Sequence, residues 1–252
     1  MLSLFAPGSP EYAEAYQTML RCSNDGQALQ QVLQRLTAHL PRSARVADWG
    51  AGTGRITAWL CQRFDTVYAI EPSPTMQAEF KKANLPATLF AGTIADTQLP
   101  QPIDVGLINH VYYHIPDREW GRQTLHCAAQ LTARGILLIT LMHPDTDANQ
   151  MLEAFGAPRL NIYGLLDVFR EYPAYTITFQ TAPRQIRTQS FADTLTVARF
   201  LLSDRDRAAF TRFPSTEEFE TYVRRFFWDE RQASGVWNHA EVFAIIERNP
   251  LL

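Results

Sequence analysis

A chain of 252 residues, 46% hydrophobic and 19% charged, can bury a sizeable core and has the composition of an ordinary globular protein. The formal net charge of −3 argues against a nucleic-acid partner, which needs a basic footprint. Cys22, Cys61 and Cys127 show neither disulfide-framework nor zinc-ligand spacing and suit a reducing, cytoplasmic compartment. Residues 1–7 lack the basic start of a signal peptide, and the longest apolar run, 136–142, is too short to span a bilayer. A soluble protein without a membrane partner is expected.

Residues 10–40 read as two helices. The first gathers Tyr12, Tyr16, Met19 and Leu20 near one face; Ala28, Leu29, Val32, Leu33, Leu36 and Leu40 stripe the second, which ends at Pro41. Strands at 44–49, 66–70, 87–91, 103–109 and 135–142 then alternate with helices at 55–64, 74–83 and 118–132. Continuous apolar strands in such alternation predict a parallel sheet covered on both faces. Beyond Met142 the alternation lapses. Residues 145–171 predict two helices parted at Gly156-Ala157-Pro158, and 175–189 are β-rich, with Pro183 marking an interruption or an edge. Residues 191–202 are helical, Ser215-Thr216-Glu217-Glu218 is a capping box opening a helix to about Asp229, and 237–247 form a last strand. The expected fold is α/β: a Rossmann-like, seven-stranded, mostly parallel sheet with helices on both faces, plus a helical substrate cap. No Gly/Ser/Pro linker divides the chain, so residues 1–252 read as one domain, with 1–42 as an N-terminal lid and 143–173 and 191–230 as cap insertions.

The run Val46-Ala-Asp-Trp-Gly-Ala-Gly-Thr-Gly-Arg55 carries the chemistry. An apolar strand ends in an acid, Gly50, Gly52 and Gly54 alternate, and a helix starts at once. Glycines at that spacing allow a tight turn and close approach of the backbone to a ligand. The helix start offers free N–H groups. A dinucleotide loop reads G-x-G-x-x-G, with its third glycine one residue later, and needs a pyrophosphate. Asp48, two residues before the first glycine, would repel a pyrophosphate but suits an amino-acid moiety or a sulfonium. A NAD-dependent oxidoreductase is disfavoured on both counts.

This pattern resembles the first motif of class I S-adenosylmethionine (SAM) methyltransferases. The resemblance makes SAM the expected cofactor and assigns further contacts. Glu71, at the end of the second strand and seventeen positions after Gly54, can accept two hydrogen bonds from a ribose diol. In Gly92-Thr93-Ile94-Ala95-Asp96, Thr93 stands where such enzymes carry an acid that reads adenine, so Thr93 or Asp96 takes that role, and Ile94 either packs on the ring or is a plain core contact. Ligands in open α/β sheets bind outside the carboxyl ends of the strands, which turns Ile108 and Asn109 toward the methionine part of the cofactor. His110, Tyr112, Tyr113 and His114 follow where a substrate should lie, as candidate bases and aromatic wall; the plainer reading has one of each pair packing or capping the next helix. His143, Asp145 and Asp147 have no recognised ligand spacing, and no metal is expected.

Short matches along the chain also resemble histamine N-methyltransferase and its small-molecule methyltransferase kin. Tyr12-Ala-Glu-Ala-Tyr16 resembles that family's N-terminal aromatic helix, which closes over the substrate. Ser23-Asn-Asp-Gly-Gln27 resembles its Ser-x-Glu-His-Gln segment, which puts Asp25 at the acid that holds the substrate amine. Ile70-Glu71-Pro72-Ser73 matches its Val-Glu-Pro-Ser at the ribose. Asn109-His-Val-Tyr-Tyr113 resembles its Gln-Met-Leu-Tyr-Tyr, with Asn109 in place of a substrate-binding glutamine, and Trp237-Asn-His-Ala-Glu-Val-Phe243 resembles its closing strand, which brings Asn238 to the substrate. The chain departs from the family where Asp25 is shorter than Glu, where Gly26 replaces a histidine, and where a tryptophan-rich cap segment is missing from 145–160.

The resulting expectation is SAM-dependent methyl transfer to a small molecule, an amine or N-heterocycle before others. Asn109, His110, Tyr113 and His114 are the candidate catalytic residues; Tyr12, Tyr16, Asp25, Tyr112 and Asn238 are the candidate substrate contacts. O- or C-methylation of a natural-product intermediate, which would need His110 or His114 as a base, stays open. So do a non-catalytic SAM-binding scaffold and a monomeric or homodimeric state.

Overall fold

The computed structural model describes residues 2–24, 26–205 and 207–250. In chain order its elements are α1 Pro10–Arg21, α2 Gln27–Thr37, β1 Arg45–Trp49, α3 Arg55–Arg63, β2 Thr66–Ile70, α4 Pro74–Lys82, β3 Thr88–Phe90 and β4 Ile103–Asn109. There follow α5 Trp120–Ala129, β5 Leu131–Met142, α6 Asp147–Ala154, α7 Leu165–Phe169, β6 Tyr175–Thr188, α8 Phe191–Ser203, α9 Thr216–Phe227, β7 Trp228–Asp229 and β8 Ser234–Arg248. They form two compact units: a sheet unit of residues 31–141, 162–180 and 242–252, and a helical unit of residues 1–30, 142–161 and 181–241.

The strands run in the order β3-β2-β1-β4-β5-β8-β6, with the short β7 paired antiparallel to β8 off this path. β3, β2, β1, β4 and β5 are parallel to one another. This is the Rossmann-like arrangement expected from the alternation. The chain steps outward from β1 to β3 and then returns to the other side of β1 as β4, which leaves a crevice at the carboxyl ends of β1 and β4. Burial explains the apolar strands: Val46, Ala47, Trp49, Val105, Leu107 and Ile108 are at most 1% exposed, as a sheet covered on both faces requires. Gly106 is glycine because a Cβ there would lie 2.6 Å from the Trp49 ring and 2.9 Å from Leu137.

Boundaries moved where tertiary bonds outweighed local pattern. The helix expected over 118–132 stops at Ala129, and β5 takes over from Leu131. The Gln130 side chain fixes that turn by accepting the Leu99 N–H at 2.8 Å, and Thr132 donates to Asp104 at 2.9 Å. The second helix of 145–171 is only the five residues of α7. Pro183 does lie in an edge strand, since β6 ends the sheet, where a missing donor costs little.

In the helical unit α1 packs on α8, with the Tyr12 and Tyr16 rings 5.1 and 5.7 Å from that of Phe200. The end of α1 is tied to β6 by the Arg187 N–H donating to the Cys22 carbonyl at 2.7 Å. Phe155 packs against Phe219 and Tyr222, and Phe227 stacks on Trp237. The capping box at Ser215 and Glu218 is formed. Thr146, rather than the acids around it, caps α6. Among the described residues no helix is long and apolar enough to cross a membrane.

Candidate functional site

The parallel register sets the ends of the strands in one row. Trp49 stands opposite Ile70 on one side and Ile108 on the other, and Ile70 opposite Phe90. Each chain segment leaving that row carries one of the residues singled out in the sequence: Gly50 after β1, Glu71 after β2, Thr93 after β3, Asn109 at the end of β4.

The glycine loop is built from left-handed residues. Gly50, Gly52 and Gly54 have φ of +79°, +57° and +88°. The N–H groups of Gly50 and Ala51 both donate to the Ile70 carbonyl, at 2.8 and 3.0 Å, which turns the loop over the end of β2. A Cβ on Gly50 would collide with Val111, and one on Gly54 with Leu85 and Phe80. These two glycines serve packing as well as the turn. Gly52 differs: no atom lies within 4 Å of where its Cβ would stand. It is the point at which the loop is open to a ligand.

Glu71 spans the loop from below. One carboxylate oxygen accepts the Gly52 N–H and the other the Ser73 N–H, each at 2.8 Å. A carboxylate has about four acceptor positions, so each oxygen keeps one for a further donor. Asp48 is 2% exposed and accepts from the Thr57 hydroxyl at 2.6 Å. Burial pushes its pKa up to about 6, and the Glu71 charge adds to the rise while Thr57 opposes it. Thr93 and Asp96, alternative partners for an adenine, are joined to each other at 2.6 Å and both are exposed. Ile94 is 4% exposed and Pro72 lies on the surface.

At the end of β4, Asn109 is half-buried and its Oδ1 is enclosed without a hydrogen-bond partner among the described residues. The hydroxyl of Thr140, paired with Asn109 in register on β5, and the indole Nε1 of Trp49 are in the same condition. Orphaned buried polar atoms are uncommon, and each asks for a ligand or ordered water. His110 follows with φ of +57°, a conformation that a residue with a side chain seldom adopts. Its N–H donates to the Thr140 carbonyl at 3.0 Å. Its ring stacks on Tyr113, with Nδ1 2.9 Å from the phenol oxygen. His114 keeps an exposed edge, and desolvation lowers its pKa from the ordinary value.

Two residues expected at the ligand have enclosed side chains. Tyr112 is fully enclosed, its ring stacked on Trp120 and its hydroxyl 2.5 Å from that of Thr124. There it anchors α5. Ile108 is likewise fully buried, because the sheet is covered on both faces. Tyr12 and Tyr16 lie together on α1 in the helical unit, where the Tyr12 hydroxyl donates to Asp204 at 3.3 Å. The Asn238 side chain is exposed, and its N–H donates to Asp147 at 2.6 Å. Asp25 lies outside the described residues. The sequence reading gave no role to Ser73, Thr140 and Val111, which meet the site through backbone, register and packing.

Comparison with known proteins agrees with this geometry. Residues 21–172, more than half of the chain, match the family described as Methyltransferase domain. An uncharacterized methyltransferase from Geobacillus sp. (strain WCH70) is 28% identical over 155 residues, 60% of this chain and 71% of that protein. The chain spans only about a third of the length of the other curated methyltransferases it matches, 35–37%. Among solved structures, the YcgJ protein of Bacillus subtilis superposes with a TM-score of 0.61 at 14% identity, over 89% of this chain and all of that one. The N-methyltransferase NodS of Bradyrhizobium japonicum, in complex with S-adenosylhomocysteine (SAH), gives 0.54 at 12% identity, over 95% and 99%. The row of strand ends, the left-handed glycine loop and the matched segment agree, and the chain belongs to the methyltransferase domain family, with the class I SAM-dependent methyltransferase fold.

Proposed function

We propose that this chain transfers a methyl group from SAM to a small molecule bearing an amine or N-heterocycle. The observation that carries the reading is the enclosed, unpartnered Asn109 Oδ1 at the end of β4, in the same row as the glycine loop and Glu71. SAM fits the residues present: Gly52 leaves room for close backbone approach, Glu71 has acceptor positions left for a ribose diol, and Asp48 and Glu71 supply the negative charge that a sulfonium favours. When bound, SAM supplies an electrophilic methyl group on sulfur.

The residues then divide the work. Thr93 and Asp96 read the adenine, and Ile94 backs it. Asn109 accepts an N–H from a neutral acceptor and so orients the nitrogen lone pair. Such a nucleophile needs positioning more than a strong base. After methylation the nitrogen sheds one proton, and His110 and His114 are the imidazoles able to receive it. Tyr113 orients His110 through its contact with Nδ1. Tyr12 and Tyr16, on α1 in the lid segment 1–42, and Asn238 on β8 are assigned to acceptor recognition.

The test is SAM turnover against a panel of amines, N-heterocycles, phenols and activated carbon acids, with product identified by mass spectrometry. Methylated nitrogen, lost in Asn109→Leu while SAH binding persists, is the expected result. Methylation confined to phenols or carbon acids refutes the nitrogen reading, and SAH binding with no turnover on any compound refutes the enzyme.

A further inference from the structure

The helical unit keeps a carboxylate that no step above uses. Asp204 caps the C-terminal end of α8 and is 5% exposed. Its carboxylate accepts from the Tyr12 hydroxyl at 3.3 Å. An acid at the end of a helix faces the negative pole of the helix dipole, and enclosure strips its hydration as well. Both effects favour the neutral form, and burial pushes the pKa of Asp204 up to about 7. The cation acting on it is Arg184. That guanidinium is already engaged with Glu241 at 3.3 Å, in a pair whose side chains are 6% and 2% exposed. The Arg184 guanidinium thus acts on both Glu241 and Asp204 in the interior of this unit.

Aromatic rings stand beside the acid. Phe200 precedes Asp204 by one helical turn on α8, and the rings of Tyr12 and Tyr16 lie 5.1 and 5.7 Å from it. Ring faces, a carboxylate and the carbonyl end of a helix attract the same kind of ligand, a cation. An ammonium group would answer all three features at once.

We propose that Asp204, with Tyr12, Tyr16 and Phe200, forms a binding subsite for the ammonium group of an amine-bearing small molecule. The assignment of that molecule as the methyl acceptor rests on the methyltransferase reading; the subsite itself does not. Asp204 is a specificity-determining residue here, and its role is to anchor the ligand. An ammonium has no lone pair to methylate, so the group held by Asp204 is a handle.

The experiment is calorimetric titration of the full chain with phenethylamine and spermidine, beside the uncharged 2-phenylethanol and the anionic 3-phenylpropionate. SAH is titrated first and separately. At least one amine should bind, at least about tenfold more tightly than the alcohol, the factor carried by one charge-assisted hydrogen bond; the carboxylate should not bind. Asp204→Asn should abolish the preference for amines and leave SAH affinity unchanged. Phe200→Leu, of similar volume, should weaken amine binding severalfold without moving the alcohol, which covers the case in which Asp204→Asn does not fold. The proposal is overturned if no amine binds, if the alcohol or carboxylate binds as tightly, or if Asp204→Asn lowers the melting temperature but keeps the preference. Absence of SAH binding in the wild type would instead refute the methyltransferase reading, and the amine comparison can be run without cofactor.

Discussion

Gly52 and Gly50 sit two residues apart in the same loop, both left-handed, yet alanine at each should do different things. At Gly52 the added methyl meets nothing within 4 Å. The cost to folding is then only the left-handed backbone, about 1–2 kcal/mol, partly offset by about 0.4–1 kcal/mol of lost freedom in the unfolded chain. For a chain of this size 1 kcal/mol is about 2–4 °C of melting temperature, so Gly52→Ala should melt within a few degrees of the wild type. At Gly50 the same methyl would stand 2.3 Å from Val111 Cγ2. Overpacking adds about 1–3 kcal/mol to the backbone cost, for a total near 2–5 kcal/mol and a drop of roughly 4–20 °C. Binding should invert the order of interest. The open space at Gly52 is where the cofactor meets the loop, so its methyl should weaken SAH by about 1–3 kcal/mol, or roughly 5- to 150-fold in Kd. Thermal unfolding by circular dichroism and calorimetric SAH titration read the two quantities independently. A Gly52→Ala protein that binds SAH like the wild type would refute the argument, because the space would then face solvent and no ligand.

Three more outcomes are expected. Glu71→Gln removes the charge from the acceptor of the Gly52 and Ser73 N–H groups, and should weaken SAH by about 10- to 100-fold, as loss of charge-assisted bonds to a diol requires; an unchanged Kd by calorimetry would remove Glu71 from the cofactor site. Asp48 titrates at about 6 in the folded protein against 3.8 as its ordinary value, so the native state binds the proton more tightly and stability falls as pH rises from about 4 to 6. Asp48→Asn should cancel that loss, on the order of 3 kcal/mol above pH 6; urea unfolding at pH 4.5 and pH 8 measures it, and equal slopes in both proteins would show the shift to be wrong. Tyr112→Phe removes a hydroxyl that meets only Thr124 and should cost about 1 kcal/mol with SAH affinity unchanged, whereas weakened SAH binding would put Tyr112 back at the ligand.

How much of the site could be read in advance depended on what kind of signal each residue leaves. The loop from Asp48 to Gly54 and the acid at Glu71 were legible because backbone geometry dictates their residue types: only glycine tolerates φ of +79° and +88° against Val111, Leu85 and Phe80. The strands were legible because burial on both faces leaves a continuous apolar run. Tyr112 was not, since an aromatic residue after a strand reads the same whether it walls a pocket or, as here, stacks on Trp120 beneath α5. Asn109 was legible as a position but not as an orphaned acceptor, which exists only once Thr140 and the rest of β5 enclose it. Asp204 left a local trace, an acid closing an apolar helix against the dipole, but its meaning depends on Tyr12, 192 positions away. The sequence by itself determined the sheet, the glycine turn and the row of strand ends, because these follow from local conformation and from the periodicity of apolar residues. Only the tertiary structure decided which polar atoms are left unpaired and which charges share a partner, because enclosure and charge balance are set by residues far apart in the chain.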